Sequence, residues 1–371
     1  MMLLKFLAPR VHAQKEHLVP RAYVKAVQQE VYKFSKAICV DDKVPELLFC
    51  DYLTYGMTFL SSMRVKEEFY ANTPLGPICS EIVKRYEENK QDSDNSFMSK
   101  FYKYLQIITI LISKMNFRYY GFTFDWKSID DSIGFEGHVY ITSTQAPRTY
   151  FTYNQNTRPA YQLATGNFMC DTPNWLYIPH ETVFPDNGRP INLSVYTQSH
   201  VMARMKERLD NQPYYYHSLA LINSVLNKEI IKGTNGRKYL VCIDYANRII
   251  GYFPIIVVDD KIILLTFLPL SSPDVPEGKC LHQALDMTKQ DLKFLNMDKL
   301  SFYRETDFNT IPQLKAALIE AGIWHLTEIE PEGKIENIPF VRSAGVITKF
   351  FQQNTPEPNK YEVFDEIEKI Y

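Results

Sequence analysis

The chain has no Cys-x-x-Cys pair, no Walker loop, no G-x-G-x-x-G turn, no internal repeat and no low-complexity tract. Each absence removes a class. Six widely spaced cysteines (Cys39, Cys50, Cys79, Cys170, Cys242, Cys280) argue against a zinc ribbon and for reduced, mostly buried thiols in a cytosolic protein. Without a glycine-rich phosphate loop, neither a P-loop nor a dinucleotide-binding fold is expected. Leu105–Ser113 is apolar but far below the roughly 20 residues that span a bilayer, so no membrane segment is expected. The opening run Met1–Arg10 is too short and too interrupted for a signal peptide. A formal charge of −2 excludes a generic polyanion binder.

What is present is aromatic. The 371 residues include 25 Tyr and 23 Phe, which favour strands and bury large areas. The length allows two or three domains. Charge is locally uneven. Residues 1–25 carry Lys5, Arg10, Lys15, Arg21 and Lys25 against Glu16, net +4. Residues 189–240 carry eight Lys/Arg against Glu207, Asp210 and Glu229, net +5, which admits nucleic acid as a partner. The tail from Pro356 is acidic.

Periodicity divides the chain in four, an α+β architecture. Residues 1–116 read as a helical domain, with runs at about 21–34, 45–70, 77–89 and 96–114, suited to a protein partner or to self-association. Residues 117–190 read as β-rich, with strands at 119–124, 137–143, 150–153, 160–163 and 175–178. Pro185-Asp186-Asn187-Gly188 is a turn. Residues 191–270 combine a strand at 191–196, a helix over 199–210 capped by Thr197 or Ser199, and a second helix at about 217–227. Three strands follow, at 238–245, 249–258 and 261–268, joined by Ala246-Asn247-Arg248 and Asp259-Asp260. Ser271–Gly278 reads as a linker. A helical C-terminal extension covers 271–371, with helices near 280–296, 311–321 and 344–353, and Gly322 placed to end the second.

The densest chemistry lies in Ser199–Arg208. His200, Arg204 and Arg208 recur every four residues, hence on nearly one helical face, beside the apolar stripe Val201, Met205 and Leu209. Guanidiniums suit phosphate oxygens, and an imidazole moves a proton near neutral pH. RNA cleavage without a metal needs a base for the 2′-hydroxyl, a cation for the phosphorane and an acid for the leaving oxygen. Thr266, near the end of the last strand, is the candidate fourth member. Tyr239, Tyr245 and Tyr252 are candidates to stack a base. No metal and no cofactor is expected.

The order strand, S-x-H-x-x-x-R-M-x-x-R helix, second helix and meander ending in Thr-Phe resembles the barnase/RelE-like superfamily of small ribonuclease toxins, over residues 191–270 only. The resemblance implies a metal-independent endoribonuclease of toxin or phage type, with His200, Arg204, Arg208 and Thr266 at its site. Two departures stand out: Leu209-Asp210 follows the last Arg where such toxins often have Gly, and the chain is long and nearly neutral. The competing expectation is a non-enzymatic phage or bacterial structural or interaction protein with a degenerate toxin-like domain. A third is a regulatory nucleic-acid binder. Other candidates read as structural: His180 with Glu181 in a Pro-bounded loop, His138 in a strand, His217 at a helix start, and Asp125, Asp130 and Asp131 in a solvated turn.

Overall fold

A computed structural model describes residues 9–330, except 16, 38, 42–43, 49–71, 74–76, 78–79, 82–83, 85–96, 114, 116, 131–133, 167–171 and 234–235. The expected helix at 344–353 and the acidic tail lie outside these residues, as do most of the helices expected at 45–70 and 77–89.

In chain order the elements are β1 (Arg10–Ala13), α1 (Arg21–Ala37), β2 (Cys39–Asp41), β3 (Val44–Leu48), α2 (Phe97–Ile112), β4 (Arg118–Asp130) and β5 (Gly134–Gln145). Next come β6 (Arg148–Tyr153), β7 (Asn156–Gln162), β8 (Ala164–Thr165), β9 (Asn174–Trp175), β10 (Tyr177–Pro179) and α3 (His180–Val183). Then follow β11 (Asn192–Thr197), α4 (Ser199–Arg208), α5 (Tyr214–Asn227), β12 (Ile230–Lys232), β13 (Lys238–Ile243), β14 (Ile249–Val258), β15 (Lys261–Leu264) and β16 (Leu268–Pro269). The C-terminal helices are α6 (Pro276–Leu285), α7 (Lys289–Phe294), α8 (Leu300–Glu305) and α9 (Pro312–Glu320). The fold is mixed α+β, and among the described residues no helix is long and apolar enough to cross a membrane.

The N-terminal residues are not wholly helical. β1 pairs in parallel with β5, Val11 against Val139, and β5 pairs with β4 in a long antiparallel hairpin. Helices α1 and α2 cover one face of this three-stranded sheet. Val27, Val31, Phe101, Leu105 and Ile108 pack there with Phe122, Val139 and Ile141. Helix and strand residues on both sides of position 116 share one apolar cluster, and β1 finds its partner strand only beyond it, in β5. Residues 39–41 and 44–48 are likewise extended and paired with each other.

The second sheet has nine strands, with β12-β13-β14-β15-β11-β7-β6 as its main path. β12 to β15 form an antiparallel meander, and β11 closes it by lying parallel to β15. Continuous apolar runs bounded by turn residues form these strands, buried on both faces in β13 and most of β14, and β15 ends at Leu264 where the sequence suggested 268. The turn at Asp259 and Asp260 has positive φ at both residues, as a tight two-residue hairpin requires. α4 and α5 bury Val201, Met205, Leu221 and Val225 in the same core as Val195, Leu240 and Leu264. Gln198, not Thr197 or Ser199, holds the N-cap position of α4, and no side chain caps it.

The C-terminal helices belong to that core as well. Leu281, Leu292, Leu300, Tyr303, Leu318 and Leu326 are buried with the sheet residues in one cluster. Ser271–Gly278 is therefore no linker: Ser271, Ser272 and Val275 are buried and α6 begins at Pro276. The expected helix at 280–296 is two helices, divided at Asp286 in left-handed conformation and restarted by a Thr288–Asp291 capping box. α8 escaped the sequence pattern. Gly322 follows the C-cap Ala321 with φ of +74°, as expected for a helix end.

Gly278 is where α6 touches the 271–272 segment. A Cβ at this position would overlap the Ser272 carbonyl, which is backbone and cannot rotate away. Gly278→Ala is expected to cost about 3 kcal/mol, the upper range for overpacking a filled interior. Urea unfolding checks it; a change under about 0.5 kcal/mol would show that the segment yields.

Candidate functional site

Two strand registers bring the site together. β11 and β15 run in parallel with Thr197 beside Leu264, so the chain leaves both strands at the same sheet edge. From β11 it enters α4 at Ser199; from β15 it reaches Thr266. On the other side β11 pairs with β7, Tyr196 against Gln162 and Thr197 against Tyr161. Continuing that register past Thr197 carries the start of α4 toward Arg158. Ligand sites in sheets with parallel strands commonly lie outside such carboxyl ends.

At this edge His200 Nε2 lies 3.3 Å from the Thr266 hydroxyl. The His200 pKa is lowered from its ordinary value. Desolvation is the main cause, followed by the positive charges of Arg204 and Arg158, with Glu207 opposing. An imidazole held neutral among cations is a base ready to accept a proton, and an anion arriving there would favour its charged form. Arg158 is the member that sequence reasoning missed. Nothing in β7 marks it, and only the β7–β11 register reveals its position.

The four-residue row divides. His200 is exposed and Arg204 half-exposed, with its guanidinium bonded to Glu207. Arg208 is mostly buried, its side chain 13% exposed and ion-paired with Asp298, whose side chain is 6% exposed; Glu207 adds a contact at 3.3 Å. Arg208 therefore does not join His200 at the sheet edge. The reason is the C-terminal helices, which close over the end of α4. Asp210 is bound there too, accepting from Ser301 N at 2.9 Å and Ser301 Oγ at 2.6 Å.

The proposed stacking tyrosines also divide. Tyr239 and Tyr252 are 2% and 3% exposed, in the core, edge-to-face with each other. The Tyr252 hydroxyl donates to Glu277 at 2.7 Å. Neither offers a ring face to a base, which corrects that expectation; an aromatic residue in a strand does not declare which face of the sheet it occupies. Tyr245 is 46% exposed at the β13–β14 turn.

The residues read as structural sit as follows. His180 is buried beside Arg189, whose backbone N–H donates to its Nδ1 at 3.1 Å. His138 is half-buried on β5, 3.0 Å from His12 Nε2. Among the described residues no group of three or more His, Cys, Asp or Glu side chains is arranged to hold a metal ion.

His217 is buried near the start of α5. Its Nε2–H donates to the Leu209 carbonyl at 3.2 Å, and Nδ1 has no partner among the described residues. Burial, against the raising effect of that hydrogen bond and with help from Lys206, depresses its pKa to about 4. Folding thus disfavours the protonated ring. Its contribution is fully present above the free imidazole value of about 6.5 and is lost as pH falls toward 4, about 3 kcal/mol in all. Stability measured from pH 7.5 to 4 should fall with that slope, and His217→Gln should flatten it. A slope unchanged in the variant would assign the pH dependence to other groups.

No known family model, curated protein or solved structure matches the chain.

Proposed function

We propose that the chain is a metal-independent endoribonuclease, of toxin or phage type, with its site at the joined ends of β11 and β15. The observation that carries this reading is the His200–Thr266 contact at 3.3 Å, flanked by the positive charges of Arg204 and Arg158. In this reading neutral His200 takes the proton of an RNA 2′-hydroxyl. The 2′-oxygen attacks the adjacent phosphorus, the bond to the 5′-oxygen breaks, and that oxygen takes a proton from solvent. Arg158 and Arg204 offset the charge growing on the phosphorane, in general the larger share of such catalysis. Thr266 orients the imidazole or donates to a phosphate oxygen. The order β11, α4, α5 and meander, with β11 set beside β15, supports the resemblance to barnase/RelE-like ribonuclease toxins.

The test is cleavage of a single-stranded RNA by purified protein in excess chelator. Cleavage is expected to leave a 2′,3′-cyclic end, to fail on an all-deoxy strand and to be lost in His200→Ala. Chelator-sensitive cleavage, or equal rates in wild type and variant, would sink the reading.

A specific observation favours a second reading. Arg204 and Arg208 both have carboxylate partners within the fold, Glu207 and Asp298. That suits a non-enzymatic phage or bacterial structural or interaction protein, in which the motif helix is a packing device. RNA binding without cleavage, or no RNA binding at all, would favour it.

A further inference from the structure

The positive N-terminal stretch has no part in the proposed cleavage site, yet the fold gives it a shape. α1 lies along β1 and leaves a groove of about 460 Å³ between them. Val11 and Val24 make its apolar floor, and Arg21, Lys25 and His12 line it with positive or protonatable groups. Among the described residues no carboxylate lines it.

Two features make this a built groove. Gln28 fastens strand to helix: its Oε1 accepts from Val11 N at 2.7 Å and its Nε2 donates to the Pro9 carbonyl at 3.0 Å. The walls are thereby held at a fixed separation. Arg21 and Lys25 stand one turn apart in the first two turns of α1, whose first turn carries no acidic residue. Two cations at that spacing face the same way, and the helix's positive end adds to their field.

We propose that this groove is a second anion-binding site, one that takes the phosphate backbone of single-stranded RNA. The inference rests on the ribonuclease reading for the choice of RNA; the groove's affinity for phosphate follows from its own charges. The apolar floor suits the non-polar body of a nucleotide, while Arg21 and Lys25 engage two successive phosphates. In a chain of net charge −2, local concentration of cations is what makes a polyanion bind at a defined place. Such a groove would raise local RNA concentration and leave the chemical step to His200.

The experiment measures binding of a fluorescent single-stranded RNA to the full chain at several salt concentrations, alongside cleavage at saturating RNA. The proteins are wild type, the double variant Arg21→Ala/Lys25→Ala, and His200→Ala. The double variant is expected to raise Kd by about tenfold. It should also flatten the log Kd against log salt slope by about 1.4, the value for losing two phosphate contacts to a single strand. Saturated cleavage should be unchanged. His200→Ala should do the reverse, keeping binding and losing cleavage. Equal Kd and slope in wild type and double variant would overturn the groove while leaving the cleavage reading intact. Groove-dependent RNA binding without cleavage would keep the groove and remove the ribonuclease. Absence of RNA binding, or groove-dependent binding to phosphatidylserine vesicles in its place, would overturn the assignment to RNA. Both substituted side chains are exposed, and the conservative Arg21→Lys should retain wild-type affinity.

Discussion

Arg208→Ala is expected to lower folding stability by about 3–5 kcal/mol, the cost of removing one partner from a buried ion pair. The side chain left behind is Asp298, nearly inaccessible to solvent and ion-paired with Arg208. Alanine supplies neither the charge nor the donors, so a carboxylate would remain desolvated and unpaired. The same substitution removes the contact to Glu207, which is exposed and contributes little. Urea denaturation of Arg208→Ala, Asp298→Asn and the double variant checks this. The double variant should be less destabilised than the sum of the two, because each single change strands the other group. Additive losses would show that the pair is not coupled. A loss of RNA cleavage with stability intact would return Arg208 to the site.

His200→Ala is expected to slow RNA cleavage by about 10²–10⁴-fold, the usual contribution of a positioned general base. Stability should change little, because the residue is only partly desolvated and, among the described residues, its ring bonds to the Thr266 hydroxyl. The pH dependence is the more specific signature. The base must be neutral, so kcat/KM should rise with pH through an ionisation lying below the ordinary imidazole value. Partial desolvation at the sheet and the charges of Arg204 and Arg158 hold it there. Arg158→Ala should shift that limb to higher pH, since a cation that opposes protonation is gone. Arg204→Ala should shift it the same way, and further, because Glu207 is then released from its partner. A limb that stays in place in both variants would mean that another group is titrating.

The alternating strands at 119–124 and 137–143 were legible, as were the apolar runs at 238–245, 249–258 and 261–268, though the last ends at Leu264, and the strand–helix–helix–meander order, since each depends on period and turn residues within a short window. Gly322 could be read as a helix end for the same reason. What was not legible depends on distant pairing. β1 is four residues long, and only its register with β5, more than 120 residues away, makes it a strand. Ser271–Gly278 has the composition of a linker, yet Ser271, Ser272, Val275 and Gly278 are buried, and Gly278 admits the backbone of Ser272 at close approach. At the site, the spacing of His200 and Arg204 could be read, and Thr266 could be proposed from its place near the end of the strand expected at 261–268, which in the structure stops at Leu264. Arg158 could not, because its position follows from which strand lies beside β11. Arg208 has the same spacing as Arg204 but meets a carboxylate 90 residues later, and no helical periodicity contains Asp298.

The parallel seam between β11 and β15 also sets an order in time. Ribosomes make the chain from its N-terminus, so His200 emerges 66 residues before the hydroxyl it contacts, and Arg208 emerges 90 before Asp298. Until the meander is complete, β11 lacks its β15 neighbour, and contacts so far apart in sequence form late. A nascent chain ending before Thr266 carries the histidine and both arginines of the motif but not the geometry. Truncation or stalled synthesis would release such a fragment inactive. Under the proposed ribonuclease reading, late assembly would shield the message and the ribosome that are still producing it.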